Sequence, residues 1–127
     1  MTNGADASEG ADEATRVAAS LAEAARGFFA AGFGGVIRVE VIDQGRGAAF
    51  WVDGRGARAE VGTNAPGGVE GSFCLWRARR ETLVRLFSER GRRVESAFVS
   101  NRLMISGDMS VMARLEVGPD AAAGAAP

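Results

Sequence analysis

Between residues 36 and 61 the chain alternates apolar and polar side chains in three short runs, separated by glycine-bearing turns. Few folds accommodate that pattern. Val36 to Ile42 sets Ile37, Val39 and Val41 on one side and Arg38 and Glu40 on the other, the period of a half-buried strand. Asp43-Gln-Gly-Arg-Gly47 reads as a turn. Ala48 to Asp53 is a second strand, with Phe50 and Val52 alternating against Ala49 and Trp51. Gly54-Arg-Gly56 makes a tight hairpin into a third strand, Arg58 to Val61, whose Ala57, Ala59 and Val61 face away from Arg58 and Glu60. Such a meander has one face to bury. The small residues of the third strand leave room there, for a packed helix or for a ligand.

The rest of the chain supplies covers. From about Ala11, Val17, Leu21, Ala24/Ala25 and Phe28/Phe29 recur at helical spacing, and Gly32, Gly34 and Gly35 end the pattern. Phe28, Phe29 and Phe33 crowd its C-terminal end; anchoring of the helix on the sheet accounts for them, and lining of a cavity is the alternative. Gly62 to Gly71 is a loop. Ser72 to Ala78 is a fourth strand, apolar on both faces through Phe73, Cys74, Leu75 and Trp76, so the pattern does not say which face turns inward. Arg79 to about Arg90 is an amphipathic helix with Leu83, Val84, Leu86 and Phe87 on its stripe. Val94 to Val99, carrying Phe98, is a shorter one. Arg102 to Ser106 is a fifth strand, broken by Gly107. Asp108 is placed to cap a closing helix with Met109, Val111, Met112 and Leu115 on its apolar positions. Met side chains adapt to irregular apolar shapes. Met109, Met112 and Leu115, with Leu83, Leu86 and Phe87, therefore read as the lid of a pocket for an apolar ligand; direct packing on the sheet is the plain alternative. The element order predicts an α+β domain with helices gathered on one face of a mostly antiparallel sheet. The expected organisation is a disordered acidic segment over 1–10, one domain over 11–117 and a flexible Ala/Gly/Pro tail over 118–127.

Composition limits the chemistry. The 127 residues include no His, and all 15 cationic side chains are Arg. The side chain best suited to proton transfer near neutral pH is absent. Without Lys there is no Schiff-base chemistry, and without His no Ser–His or Cys–His nucleophile pair. One cysteine, Cys74, forms no internal disulfide and anchors no metal cluster. No apolar run reaches the roughly 20 residues of a membrane span. The N-terminus has neither the basic nor the apolar region of a secretory signal. The expectation is a cytoplasmic protein with no catalytic residue, no metal and no cofactor.

Several segments together resemble the sterol-carrier-protein-2 family of lipid-binding domains. They are Ala49-Phe-Trp-Val-Asp53 before a glycine turn, Glu81-Thr-Leu83 opening a helix after a strand, Ala97-Phe98, and Arg102-Leu-Met-Ile-Ser-Gly-Asp-Met-Ser110. The last is the most specific, and the resemblance runs from about Arg26 to Leu115. The residues that match the family's motifs are Trp51, Asp53, Leu83, Phe98, Leu103, Ile105, Gly107, Asp108 and Met109. The resemblance implies a five-stranded sheet with helices over one face, enclosing an apolar tunnel. It implies non-catalytic binding or transfer of a sterol, fatty acid, fatty acyl-CoA or phospholipid. In this chain the expected tunnel residues are Phe29 and Phe33 after the first helix, Phe50 and Val52 on the second strand and Trp76 on the fourth. Leu83, Leu86, Phe87 and Phe98 join them from the middle helices, and Leu103, Ile105, Met109, Met112 and Leu115 from the C-terminal stretch. The chain departs from the family where Arg79-Arg80 stands in place of Ser-Asp at a helix start, and where Met104 stands in place of a basic residue. Its C-terminus lacks a peroxisomal Ser-Lys-Leu address, which points to a stand-alone bacterial-type member.

Cations at a helix start oppose the macrodipole, so that end is expected to fray or to bind an anion. Arg79 and Arg80 are accordingly candidates for an anionic headgroup. They belong to a cluster with Arg77, Arg85, Arg90, Arg92 and Arg93, either a solvated helix face or a patch for transient contact with an anionic membrane. A net charge of −1 argues against nucleic acid. The partners expected are a hydrophobic small molecule or lipid, with a homodimer or a partner enzyme left open. The alternative function is an accessory protein that supports biosynthesis of an apolar metabolite through contact with enzymes.

Overall fold

A computed structural model describes residues 2–44, 47–69, 71–88 and 97–115, with side chains from Glu13 onward. The elements are α1 (Thr2–Phe28), β1 (Val36–Val41), β2 (Ala49–Asp53), β3 (Glu60–Gly62), β4 (Cys74–Ala78), α2 (Arg80–Ser88), β5 (Leu103–Gly107) and α3 (Ser110–Arg114). The strands form one mixed sheet in the order β3-β2-β1-β4-β5. The β1–β2, β2–β3 and β4–β5 pairs are antiparallel, while β1 and β4 run parallel, with Val39 opposite Trp76. This is the α+β architecture, with a five-stranded, mostly antiparallel sheet, that the sequence pattern predicts.

The parallel pair has a topological cause. A three-strand meander leaves β3 at one edge, pointing along β1. To enter β4 in the same direction, the chain must return across the sheet. It does so over the face away from the helices, where Val69 packs with Val36, Trp51 and Phe73. A small second core results, with Trp51 and Phe73 edge-to-face at 5.1 Å and the Arg38 guanidinium 5.1 Å from the Trp51 ring centre.

α1, α2 and α3 cover the other face. α1 buries Ala14, Val17, Ala18, Leu21, Ala22, Ala25 and Phe28, the spacing of one helical stripe, and its alanines permit close approach to the sheet. The helix is longer than the pattern suggests. It starts at Thr2, so residues 2–10, which the composition predicts to be disordered, are helical as well. It stops at Phe28, ahead of the glycines expected to end it. From there the backbone bonds to the β2–β3 hairpin instead. Gly32 donates to Ala57, Phe33 and Gly34 both donate to Gly54, and Gly54 donates to Gly35, at 2.8–3.0 Å. Gly54 tolerates no side chain, since an added Cβ would meet the Phe33 ring.

β3 is shorter than expected and begins two residues later, with Arg58 only bridging to Ala31. The helical turn over 97–99 ends at Asn101 in the left-handed region (φ 64°), which re-aims the chain into β5. The expected C-terminal tail, the Val94–Ser96 start of that turn, and Arg90, Arg92 and Arg93 lie outside the described residues.

Candidate functional site

The pleat decides what faces the helices. β1 presents Ile37, Val39 and Val41, β2 presents Phe50 and Val52, and β5 presents Leu103 and Ile105. On β4 the question left open by the sequence is answered: Cys74, Trp76 and Ala78 turn inward and Arg77 outward. α2 adds Leu83, Leu86 and Phe87, and α3 adds Val111, with Met112 and Leu115 partly buried beside it. No polar or charged residue is buried among the described residues.

Aromatic rings occupy the centre of this layer. Phe29 is the hub, with ring centres 4.8 Å from Phe28, 5.5 Å from Trp76, 6.0 Å from Phe87 and 6.3 Å from Phe33. Phe87 in turn lies 6.0 Å from Phe50 and 5.2 Å from Phe28. These are contact spacings for tilted and edge-on rings. Among the expected tunnel residues, all but Phe98 and Met109 belong to this layer or pack against it. Phe98 is 43% and Met109 46% exposed, and neither is packed in the layer. The reason for Met109 is phase. α3 is one short turn beginning at Ser110, and it turns Val111 rather than Met109 onto the sheet. Asp108 does serve the start of α3, accepting from the Ser110 backbone N–H at 3.2 Å and its hydroxyl at 2.6 Å, although by backbone angles the capping position is Met109. Those bonds hold the Asp108 carboxyl below its usual pKa.

α3 sits on the connection between α1 and β1. Val111 is fully buried over Gly35, and Arg114 donates to the carbonyls of Phe33 at 2.9 Å and Gly34 at 3.3 Å. No residue-type pattern marks Gly35 as that seat; its meaning comes only from the approach of a segment far along the chain.

Arg79 and Arg80 are exposed at the start of α2. The Asp43 carboxylate, in the β1–β2 turn, accepts from the Arg80 backbone N–H at 2.9 Å, while both guanidinium groups stay exposed. The end is thus capped, not frayed. On the opposite sheet face, Glu40 bridges Arg38 at 2.9 Å and Arg77 at 3.3 Å beside an open cleft of about 290 Å³ lined also by Ile42 and Ala49. The cleft sets these charged groups beside apolar residues, Val41 and Ala48 among them.

No protein-family model matches the chain, and no curated protein sequence does. Solved structures do. One, described as "UbiJ-SCP2 Ubiquinone synthesis protein", matches with a TM-score of 0.52 and 19% identity, over 76% of this chain and 87% of that one. The fold is SCP2-like. What that likeness establishes is the arrangement of sheet and helices. No helix among the described residues is long and apolar enough to cross a membrane.

Proposed function

We propose that this SCP2-like chain binds a hydrophobic molecule without catalysing its conversion, in an apolar tunnel that opens between the sheet and the helices. The ligand class is that of sterols, fatty acids, fatty acyl-CoA and phospholipids. The observation that carries the reading is the layer itself: its strands and helices contribute apolar side chains to it, and aromatic rings in mutual contact fill its centre. Met112 is adaptable in shape, and the five-residue α3 that carries it, seated mainly by Val111 and Arg114, is short enough to give way to an inserted chain. Native mass spectrometry of the purified chain tests this: a bound apolar molecule, released by organic extraction, is the expected result. A chain that carries nothing and takes up no member of a broad lipid panel below millimolar concentration contradicts it.

A second reading is an accessory protein that supports biosynthesis of an apolar metabolite by holding a partner enzyme. The structural neighbour's name, which refers to ubiquinone synthesis, favours it. A pull-down that recovers one enzyme in stoichiometric amount, with no lipid bound, would select this reading over the carrier.

A further inference from the structure

Within the apolar layer one polar atom stands out. The Trp76 indole Nε1 is buried and meets no oxygen or nitrogen acceptor among the described residues. Trp76 itself is 0% exposed and sits mid-sheet, opposite Val39 on one side and Ile105 on the other, with Phe29 above it. Its polar neighbour on the same strand face is the Cys74 thiol, and sulfur is a weak acceptor. Burial pushes that thiol's pKa up, and a weaker hydrogen bond with the Trp76 indole lowers it, so what the strand itself offers the N–H is a neutral thiol, a poor acceptor.

A buried indole N–H left unpaired is costly, and buried donors in native proteins are rarely left so. Phenylalanine would fill much of the same space at no such cost. An acceptor carried by a ligand in the layer would satisfy the N–H. An indole N–H donates only. No cation is buried among the described residues of the layer to neutralise a carboxylate or phosphate. The acceptor that fits is therefore a neutral oxygen.

We propose that Trp76 is the polar recognition point of the interlayer site, its indole N–H donating to a neutral carbonyl-type oxygen carried within an otherwise apolar ligand. This rests on the reading of the layer as a ligand site, and it narrows the ligand class: a ketone, ester or similar oxygen at mid-depth is selected over plain hydrocarbon, and a charged headgroup is left at the rim.

The test uses two probes on the full chain, phenyl decyl ketone and undecylbenzene, which differ only by a carbonyl in place of one methylene. With the tryptophans labelled with nitrogen-15, the Trp76 indole N–H resonance moves downfield on adding the ketone and does so less with the hydrocarbon. The other of the two tryptophans, Trp51, lies across the sheet and is the internal control. Trp76→Phe weakens ketone binding about 5- to 100-fold, the range for a buried donor losing its acceptor, and leaves undecylbenzene within about twofold. Equal shifts with both probes, or equal losses of both in the variant, overturn the proposal and leave the apolar site intact. The resonance measurement needs no variant, so misfolding of Trp76→Phe cannot mask the outcome. Failure of both probes to bind the unmodified chain overturns the apolar site and the recognition point together.

Discussion

Gly35→Ala probes how α3 is held over the layer. The backbone at Gly35 is not in the left-handed region, so alanine suits its conformation and the substitution reports on space alone. A Cβ at that position lies 2.5 Å from Val111 Cγ2 and 3.7 Å from Val111 Cβ. Carbon atoms rest at about 3.5 Å or more, so α3 must withdraw by about 1 Å. Valine offers little relief, because its branched Cβ restricts rotation. Overpacking of this kind costs about 1–3 kcal/mol. Full release of α3 forfeits burial of Val111, about 1.5–3 kcal/mol, together with the Arg114 bonds, so the loss stays bounded near the same figure. Val111→Ala alone costs about 2 kcal/mol for its two methyl groups and the space they leave. In that background the methyl added at position 35 fills part of the void, and Gly35→Ala becomes nearly neutral. Urea unfolding of the unmodified chain, the two single variants and the double variant should therefore give a coupling of about 1 kcal/mol or more, with amide exchange accelerated at residues 110–114 in Gly35→Ala alone. Additive losses in the double variant would refute the seating of Val111 on Gly35.

Other consequences follow from the same contacts. Asp43→Ala removes the acceptor of the Arg80 N–H and should lower stability by about 1 kcal/mol in a thermal melt, whereas Asp43→Asn keeps most of it; identical melts would remove Asp43 as the cap. Arg55 donates twice from its side chain and once from its backbone to the Asp53 carboxylate, and these bonds lower the Asp53 pKa. A lowered carboxyl stabilises the fold above its ordinary pKa, near pH 4, and that contribution is lost as pH falls through the depressed value. The gap between the chain and Asp53→Asn in urea midpoints should thus be full at about pH 6 and close on acidification below about pH 4; a gap that does not change with pH contradicts the pairing. Leu86→Glu places a charge inside the layer and should abolish binding of a fluorescent fatty acid with severe loss of stability, while the exposed Met109→Glu should leave both nearly unchanged. Loss of binding in Met109→Glu would return that side chain to the ligand's wall.

Local periodicity made much of this fold readable. The alternation around Ile37, Val39, Phe50 and Val52 predicts both the hairpin and its inner face, and the stripe Leu83, Leu86, Phe87 predicts the buried side of α2. Leu103 and Ile105 likewise fall inward as their spacing requires. What escaped prediction depends on contacts far apart in sequence. Asp43 caps a helix 37 residues away, and nothing near it in the chain suggests so. The inner face of β4 is set by parallel pairing with β1, which registers Trp76 on Val39, and an all-apolar strand carries no such mark. Met109 shares helical spacing with Met112, yet the turn after Gly107 (φ 81°) places it before the helix proper. Trp51 and Asp53, matched to the lipid-binding family, lie on the opposite sheet face, where Trp51 holds the returning loop and Asp53 holds Arg55.

Titration of the purified chain with a fluorescent fatty acid, followed by displacement with unlabelled lipid, measures whether the apolar layer takes up a ligand. Saturable binding at one site per chain is expected, with a dissociation constant below millimolar, lost in Leu86→Glu and kept in Met109→Glu. Binding that never saturates, or that survives a glutamate at the fully buried Leu86 position in a folded chain, would contradict it.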